Sequence, residues 1–256
     1  MSGRFDGKVA FVTGGAMGMG AEHARGFVRE GGSVVIADIS TQRSEELAKA
    51  LGSRAMWVQL DITDAKQWTR AVQETESKLG AIDILVNNAG VLLTGAIDTE
   101  SPEQYRRILE VNLVGAFLGM RTVSPGMKAR RRGSIINIGS SAALIAYPNS
   151  VGYASAKWGL RGLTKAAALD RAGSGVRVNL VCPGPTDTPM NDVLDSGARD
   201  SLCSLQAIPR MASAVEVSRL VLFLASDEGS YCTGGDFAVD GGASLGAPFR
   251  PQTFTS

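Results

Sequence analysis

A glycine-rich turn near the amino end, TGGAMGMG, is the feature that most limits how this chain can fold. It follows KVAFV, a β-branched and aromatic run typical of a buried strand, and it precedes a segment whose apolar residues recur at helical spacing. The turn therefore joins a strand to a helix. Glycine permits the sharp bend and lets the backbone and the helix N-terminus approach an anion such as a diphosphate. We predict dinucleotide contacts from Gly14, Met17, Gly18, Met19 and Gly20.

Strand-like and helix-like segments alternate along the chain without a linker, an internal repeat or a low-complexity stretch. Short β-branched runs mark the strands, and apolar residues at helical spacing mark the helices. This alternation predicts a single α/β domain over residues 1–256, built as a doubly wound parallel sheet of the Rossmann type. Seven strands are expected, near 8–13, 33–37, 55–60, 83–87, 133–138, 176–181 and 235–239.

The tetrapeptide SPEQ at 101–104 is a strong signal for the start of a helix. Ser101 is a good N-cap, Pro102 suits the first helical position, and the Gln104 side chain is expected to reach back to the cap. A long helix should follow.

Composition argues against several classes of protein. With 26 Lys and Arg against 25 Asp and Glu, the formal charge is +1, so we expect no nucleic-acid partner. The basic cluster Lys128 with 130–132 is interpreted as a solvated loop. Apolar runs are shorter than the roughly 18 residues of a membrane span. The polar start MSGRFDGK lacks the apolar core of a signal peptide, which predicts a cytoplasmic protein.

The cysteines and the single histidine give no pattern of metal ligands. Cys182, Cys203 and Cys232 are far apart, and His23 lies within the first predicted helix. Neither a zinc site nor a histidine-based catalytic triad is therefore expected.

The second predicted strand, SVVIAD, ends in Asp38, where a carboxylate can accept hydrogen bonds from both adenosine ribose hydroxyls. Its negative charge would repel a 2′-phosphate. Met17 and Ile39 occupy the two places where a phosphate pocket would need Arg or Lys, and both are neutral. These residues predict NAD(H) rather than NADP(H).

Polar residues also follow the third and fourth strands. Asp61 could meet the adenine amino group, with Ile62 supplying backbone and apolar contact to the ring; alternatively, Asp61 caps the helix that begins near Asp64. After the fourth strand, small residues let the backbone run close to the adenosine ribose, and asparagine amides tie neighbouring strands together. The predicted segment is Asn87, Asn88, Ala89 and Gly90.

Ser140, Tyr153 and Lys157 are the candidate catalytic residues, with Asn112 in support. Reduction of a ketone needs an acid that protonates the oxygen, and a phenol can serve if its pKa is lowered. Lys157 lies one helical turn, about 6 Å, beyond Tyr153, so its ammonium would favour phenolate, and it could also hold the nicotinamide ribose. The Ser140 hydroxyl could donate to the same substrate oxygen. A water on the Asn112 carbonyl could link Lys157 to solvent.

These motifs together resemble the short-chain dehydrogenase/reductase family, over nearly the whole chain. The matching motifs are TGGAMGMG, Asp61, NNAG, Asn112, Ser140, YASAK, PGPTDTP and VDGG. The resemblance implies that Asn112, Ser140, Tyr153 and Lys157 form a catalytic tetrad. It also implies nicotinamide and diphosphate contacts from the segment holding Pro183, Gly184, Thr186 and Thr188. Two positions depart from the family pattern, Thr186 and Gly139.

Within that family, residues 1–31 look most like NAD-dependent 3α(20β)-hydroxysteroid dehydrogenases and related bacterial secondary-alcohol dehydrogenases. Family members usually form tetramers through the long helices that here contain Asn112 and Tyr153, so the resemblance implies a homotetramer. The tail at 245–256 would then cover a neighbouring subunit's pocket or be disordered.

Substrate identity should depend on the segment from about 185 to 210, which the family uses as a lid. A mostly apolar pocket is expected, suited to a small hydrophobic ketone or alcohol with a bulky or cyclic body, although some of its residues could be core. The pocket residues would be Met190, Val193, Leu194, Leu202, Leu93, Leu144 and Tyr147. Three alternatives remain: a non-catalytic dinucleotide sensor, a sugar-nucleotide epimerase or dehydratase, and a 3-oxoacyl thioester reductase.

Overall fold

Seven strands form one parallel sheet in the part of the chain that the computed structural model describes, residues 3–191, 196–204 and 206–246. The spatial order is β3-β2-β1-β4-β5-β6-β7. Every strand boundary lies within two residues of its predicted position, so the predicted doubly wound sheet is confirmed. The strands are β1 Val9–Thr13, β2 Ser33–Asp38, β3 Ala55–Gln59, β4 Ile84–Asn87, β5 Gly133–Ile138, β6 Val176–Pro183 and β7 Asp236–Val239.

Helices cover both faces of this sheet. One face packs against α1 (Gly18–Arg29), α2 (Thr41–Leu51) and α8 (Ala214–Ala225). The other packs against α3 (Ala65–Lys78), α5 (Gly115–Ala129) and α6 (Val151–Asp170). α4 (Pro102–Leu109) runs into α5 through a π-helical turn at Glu110–Val114, and α7 (Ser196–Ser204) lies in the predicted lid.

Both faces of the strands are buried, as parallel sheets require. In β1, Ala10 and Val12 enter the cluster on the α1 side, whereas Val9 and Phe11 enter the cluster on the α3 side. This two-sided core fixes the register of the central strands and holds their carboxyl ends in one row.

The start of α4 follows the sequence prediction except at one side chain. The Ser101 hydroxyl accepts a hydrogen bond from the Gln104 backbone nitrogen at 3.1 Å, and Pro102 is the first helical residue. The Gln104 side chain, however, donates to the Thr94 carbonyl at 3.1 Å and does not reach back to the cap. The glutamine therefore ties the preceding loop to the helix. The predicted long helix is confirmed as α4, the π-turn and α5 in sequence.

In the basic cluster at the end of α5, Lys128, Arg131 and Arg132 are exposed, as the interpretation as a solvated loop predicts, but two of the arginines also contact the segment before β4. Arg130 donates to the Ile82 carbonyl at 2.6 Å, and Arg132 lies 3.0 Å from the buried Asp83 carboxylate. These arginines anchor the loop that leads into β4.

In the described ranges, none of the helices combines the length and the apolar character needed to cross a membrane. The same ranges contain no group of three His, Cys, Asp or Glu that could hold a metal ion.

Candidate active site

The strand order reverses between β1 and β4, and a crevice at the carboxyl ends of the strands is expected at such a reversal. The predicted site residues follow β1 to β6 at this edge or stand on the helices packed beside it.

Ser140, Tyr153 and Lys157 come together at the end of β5. Ser140 opens a short 3-10 turn, where its hydroxyl accepts from the Ala142 amide at 3.1 Å, and its side chain hydrogen bonds with Tyr153. Tyr153 lies in the first turn of α6. The Lys157 ammonium lies 5.5 Å from the centre of the Tyr153 ring and donates to the Ile138 carbonyl at 2.9 Å.

Burial controls the protonation of this group. It raises the pKa of the Tyr153 phenol, and the hydrogen bond with Ser140 opposes that rise. Burial also lowers the pKa of Lys157 to about 8, because its side chain is only 4% exposed. Desolvation is the largest cause of the pKa shift in both groups, and at Tyr153 it acts against the predicted lowering of the pKa by Lys157.

Asn112 connects this group to the loop after β4. Its amide donates to the carbonyls of Val91 and Ile108, at 2.9 and 3.1 Å, and its oxygen accepts from the Val91 nitrogen at 3.3 Å. A Cβ on Gly90 would lie 2.7 Å from that oxygen and 3.8 Å from the Lys157 ammonium. Asn112 sits in the π-helical turn, and such turns often occur at functional sites.

The shape of the glycine turn has causes within the protein itself. Gly14 and Gly18 have φ values of 60° and 54°. A Cβ on Gly20 would lie 2.0 Å from the Gly14 carbonyl oxygen, so this glycine is required by backbone packing. The N-terminus of α1 has no side-chain cap, which leaves its amides directed into the crevice. The Met19 side chain packs against the core, leaving its backbone to contact a ligand.

Asp38 is fixed at the end of β2. Its carboxylate accepts from the Ala16 nitrogen in the glycine turn at 3.1 Å and from the Ser40 nitrogen at 2.9 Å. A carboxylate offers about four acceptor positions, so ribose hydroxyls can still bind. Ile39 is 69% exposed beside it.

Arg43 is a residue that sequence reasoning missed. Although both predicted cation positions are neutral, the Arg43 guanidinium lies 3.5 Å from the Met17 sulfur. It stands on the first turn of α2, directly after the Asp38 loop. The spacing of five residues after Asp38 is the signal that could have found it, since the start of α2 must lie over that loop.

Asp61 is held by Thr63 and does not have the alternative role of a helix cap. Asp61 accepts from the Thr63 nitrogen at 2.9 Å and hydroxyl at 2.7 Å, and these bonds lower its pKa. Asp64, not Asp61, caps α3. The Ile62 side chain is 8% exposed and packs where α5 presents Gly115, which leaves little of it for an adenine ring.

The Asn87–Gly90 segment ties the sheet to the glycine turn. The Asn87 amide donates to Asn137 of β5 at 2.8 Å, which fits the predicted tie between strands, and the Asn87 side chain is buried. Asn88 donates to the carbonyls of Thr13 and Gly14, at 2.9 and 3.1 Å. The Ala89 nitrogen donates to the Thr13 hydroxyl at 3.1 Å.

Pro183 ends β6, and the lid segment begins beside the glycine turn. A Cβ on Gly18 would lie 3.4 Å from the Thr188 side chain, so the two segments lie against each other. Thr188 and Thr186 are buried, and the Thr186 hydroxyl donates to the Gly184 carbonyl at 3.0 Å.

The predicted pocket residues divide between solvent and core. Leu93 and Met190 are 38% and 41% exposed, whereas Leu144 packs partly against a core cluster, and the Tyr147 hydroxyl donates to Ser141 at 2.9 Å. Leu202 lies on α7 and is half-buried. Val193 and Leu194, and most of the predicted tail at 245–256, lie outside the described residues.

The family model described as Enoyl-(Acyl carrier protein) reductase matches residues 14–244. A 3-alpha-(or 20-beta)-hydroxysteroid dehydrogenase of Mycobacterium bovis is 47% identical over 96% of this chain and 93% of its own. A trans-4-hydroxycyclohexanecarboxylate dehydrogenase of Sinomonas cyclohexanicum is 42% identical over 98% of each chain. The crystal structure of gox2181 matches with a TM-score of 0.91 and 28% identity, over 94% of this chain and 97% of that one. Sequence, fold and site agree, and the chain belongs to the short-chain dehydrogenase/reductase family of oxidoreductases.

Proposed function

We propose that the protein interconverts a hydrophobic, bulky or cyclic ketone and its secondary alcohol, using NAD(H). The observation that carries the proposal is the joint placement of Ser140, Tyr153 and Lys157 at the end of β5. A hydroxyl next to a phenol, with an ammonium 5.5 Å from the phenol ring, provides the hydrogen-bond donors and the proton that carbonyl reduction requires.

In this mechanism Tyr153 is the general acid in reduction and the general base in oxidation. The nicotinamide, when bound, supplies or accepts the hydride at the carbonyl carbon. Ser140 and Tyr153 hold the substrate oxygen between two hydroxyl groups. Lys157 favours the phenolate through its charge, holds the nicotinamide ribose, and receives protons from solvent through water on the Asn112 carbonyl.

The residues at this edge fit a dinucleotide. The uncapped amides of α1 and the positive-φ glycines make an anion-binding cradle, where Gly14, Met17, Gly18, Met19 and Gly20 would contact the diphosphate through their backbone.

Asp38 favours NAD(H), because a second negative charge beside this carboxylate is repelled. The positive charge of Arg43 would favour NADP(H). We propose that the effect of Asp38 is the larger one, because its carboxylate is held by two backbone amides whereas the Arg43 guanidinium is exposed.

Two observations support an apolar substrate. Leu93 and Met190 expose large apolar side chains on segments that border the crevice, and an apolar body would cover them. The relatives from Mycobacterium and Sinomonas are named for a hydroxysteroid and a hydroxycyclohexane acid. We therefore propose a cyclic ring system as the substrate body.

A homotetramer fits the exposed surface of the long helices. Phe117 on α5 and Trp158 on α6 are 45% and 46% exposed, and a partner subunit would bury them. Light scattering should give the mass of a tetramer, whereas a stable monomer would contradict this assembly.

Cytoplasmic location is proposed from the three free thiols, which suit a reducing compartment.

The test measures NADH and NADPH oxidation separately against steroids, cyclic terpenoids, aryl ketones and oxoacyl thioesters, with Tyr153→Phe as control. We expect NADH-dependent turnover of cyclic ketones that is lost in the variant. A preference for NADPH would contradict the assignment of Asp38, and turnover surviving in the variant would contradict the phenol mechanism. The thioesters are included because the matching family model is described by an acyl-carrier substrate.

A further inference from the structure

Helix α6, which carries Tyr153, begins without a cap of its own. Its N-cap residue Ser150 makes no side-chain hydrogen bond to the helix, and its hydroxyl donates to the Tyr147 carbonyl at 2.6 Å. The first turn also contains no acidic residue. The amide nitrogens of this turn therefore need acceptors from elsewhere in the chain.

Glu100 supplies such an acceptor from the loop before α4. Its Oε2 accepts a hydrogen bond from the Gly152 nitrogen at 2.9 Å, one residue before Tyr153. Its Oε1 is buried and has no hydrogen-bond partner in the described part of the chain. A carboxylate at a helix N-terminus is favoured by the partial positive charge there, which compensates for this burial.

Two glycines make room for the Glu100 side chain. A Cβ on Gly95 would lie 2.7 Å from the Glu100 Cβ, and a Cβ on Gly152 would lie 2.6 Å from the Glu100 Oε1. The Gly95 nitrogen also donates to the Asn149 carbonyl at 2.9 Å, directly before the helix. The loop and the first turn of α6 are thus fitted to each other around one carboxylate.

We infer that Glu100 is a positioning residue for the reaction, which fixes the first turn of α6 and thereby places the Tyr153 hydroxyl against Ser140. The inference rests on the proposed role of Tyr153. Glu100 does not itself touch the reacting atoms. Its effect arises because a small displacement of a catalytic group can cost one or two orders of magnitude in rate.

Three substitutions separate the hydrogen bond from the charge. Glu100→Gln keeps an acceptor oxygen without the charge, Glu100→Asp keeps the charge on a side chain too short to reach, and Glu100→Ala removes both. We expect Glu100→Ala and Glu100→Asp to lower kcat for ketone reduction about tenfold. Glu100→Gln should stay within about threefold of the wild type. The Kd for NADH, measured by fluorescence, should change less than about twofold in all three, because the glycine turn is untouched.

Gly152→Ala tests the same contact. Helix propensity alone would predict that this substitution is favourable, whereas the contact with Glu100 predicts a loss of activity. Alanine normally stabilises a helix by about 1 kcal/mol relative to glycine. Here the added Cβ would lie 2.6 Å from the Glu100 Oε1 and 2.9 Å from the Cδ1 at the end of the Ile108 side chain. The carboxylate has to move, so kcat should fall about as far as in Glu100→Ala, and the double variant should be no slower. Gly162→Ala is the matched control on α6, because its Cβ meets no atom within 4 Å; it should leave kcat unchanged.

Full activity in Glu100→Ala or in Gly152→Ala would overturn the inference. Equal loss in the Gln and Ala variants, or loss of NADH binding in parallel with kcat, would do the same, since either indicates a general structural role. If Tyr153→Phe is inactive while Glu100→Ala is fully active, only the role of Glu100 fails. If Tyr153→Phe retains turnover, the proposed function fails together with this inference.

Discussion

Replacing Lys157 with methionine should stabilise the protein while it abolishes turnover. The lysine is 4% exposed, and burial lowers its pKa from 10.5 to about 8. One pKa unit corresponds to about 1.4 kcal/mol, so burying this ammonium costs about 3 kcal/mol at neutral pH. Methionine retains the apolar stem but loses the hydrogen bond to the Ile138 carbonyl, which is worth about 1 kcal/mol. The net gain in the free energy of unfolding at pH 7 should be about 2 kcal/mol.

The sign of the pH dependence follows from the direction of the shift. Below pH 8 the lysine is protonated in both the folded and the unfolded protein, so the cost of burial is fully present. Between pH 8 and 10.5 the unfolded chain binds more protons than the folded one, and the stability of the wild type rises with pH. About 2 kcal/mol of the advantage of Lys157→Met should therefore disappear between pH 7 and pH 9.5.

The assay is urea unfolding followed by tryptophan fluorescence, without dinucleotide, at pH 7 and 9.5 and at one protein concentration. Lys66→Met, at an exposed position on α3, is the control and should show no pH-dependent difference from the wild type. The reasoning is refuted if Lys157→Met is less stable than the wild type at pH 7. It is also refuted if the difference between them is the same at both pH values, because all other titrating groups are shared.

Three further outcomes are expected. Asp38→Ser should raise the ratio of kcat/KM for NADPH over NADH about tenfold. Adding Arg43→Met should cancel that gain, because the guanidinium near Met17 would pair with the 2′-phosphate. A double variant that keeps the raised ratio of Asp38→Ser would exclude this role for Arg43. Gly20→Ala should destabilise the fold by about 3 kcal/mol and weaken NADH binding, since its Cβ would overlap the Gly14 carbonyl; calorimetry and NADH titration would detect this, and wild-type values would contradict it. Alcohol oxidation should accelerate as pH rises, because the Tyr153 pKa is raised and the base form gains population; a pH-independent rate would argue against the phenol as base.

The strands could be predicted closely because each is a short apolar run bounded by turn residues, and β6 alone extends two residues further than expected. The candidate site residues follow from the same pattern, since Asp38 ends β2 and Ser140 lies two residues after the end of β5, at one edge of the sheet. A parallel sheet places the carboxyl ends of its strands side by side, so residues that are distant in the sequence become neighbours. The type of a residue and its position at the end of a strand are therefore enough to predict most of the candidate site.

Other features depend on contacts that the sequence pattern does not specify. Arg43 approaches Met17 because of how α2 is oriented, and Glu100 reaches Gly152 across fifty-two residues. The raised pKa of Tyr153 is a consequence of burial in the complete fold. Each requires knowledge of three-dimensional packing around one side chain, whereas the strands require only local periodicity.

The glycine turn is weaker evidence for an enzyme than the buried Lys157 is. A Cβ on Gly14 would lie 2.8 Å from the Ala89 Cα, and the position of a Gly20 Cβ is filled by the Gly14 carbonyl, so these glycines are needed for folding whether or not a reaction occurs. A protein that only sensed a dinucleotide would keep them. It would gain about 2 kcal/mol by replacing Lys157 with an apolar residue, because the burial of that ammonium is unfavourable. A costly buried charge beside a phenol and a hydroxyl therefore favours an enzyme over a sensor, since costly polar groups concentrate where chemistry uses them.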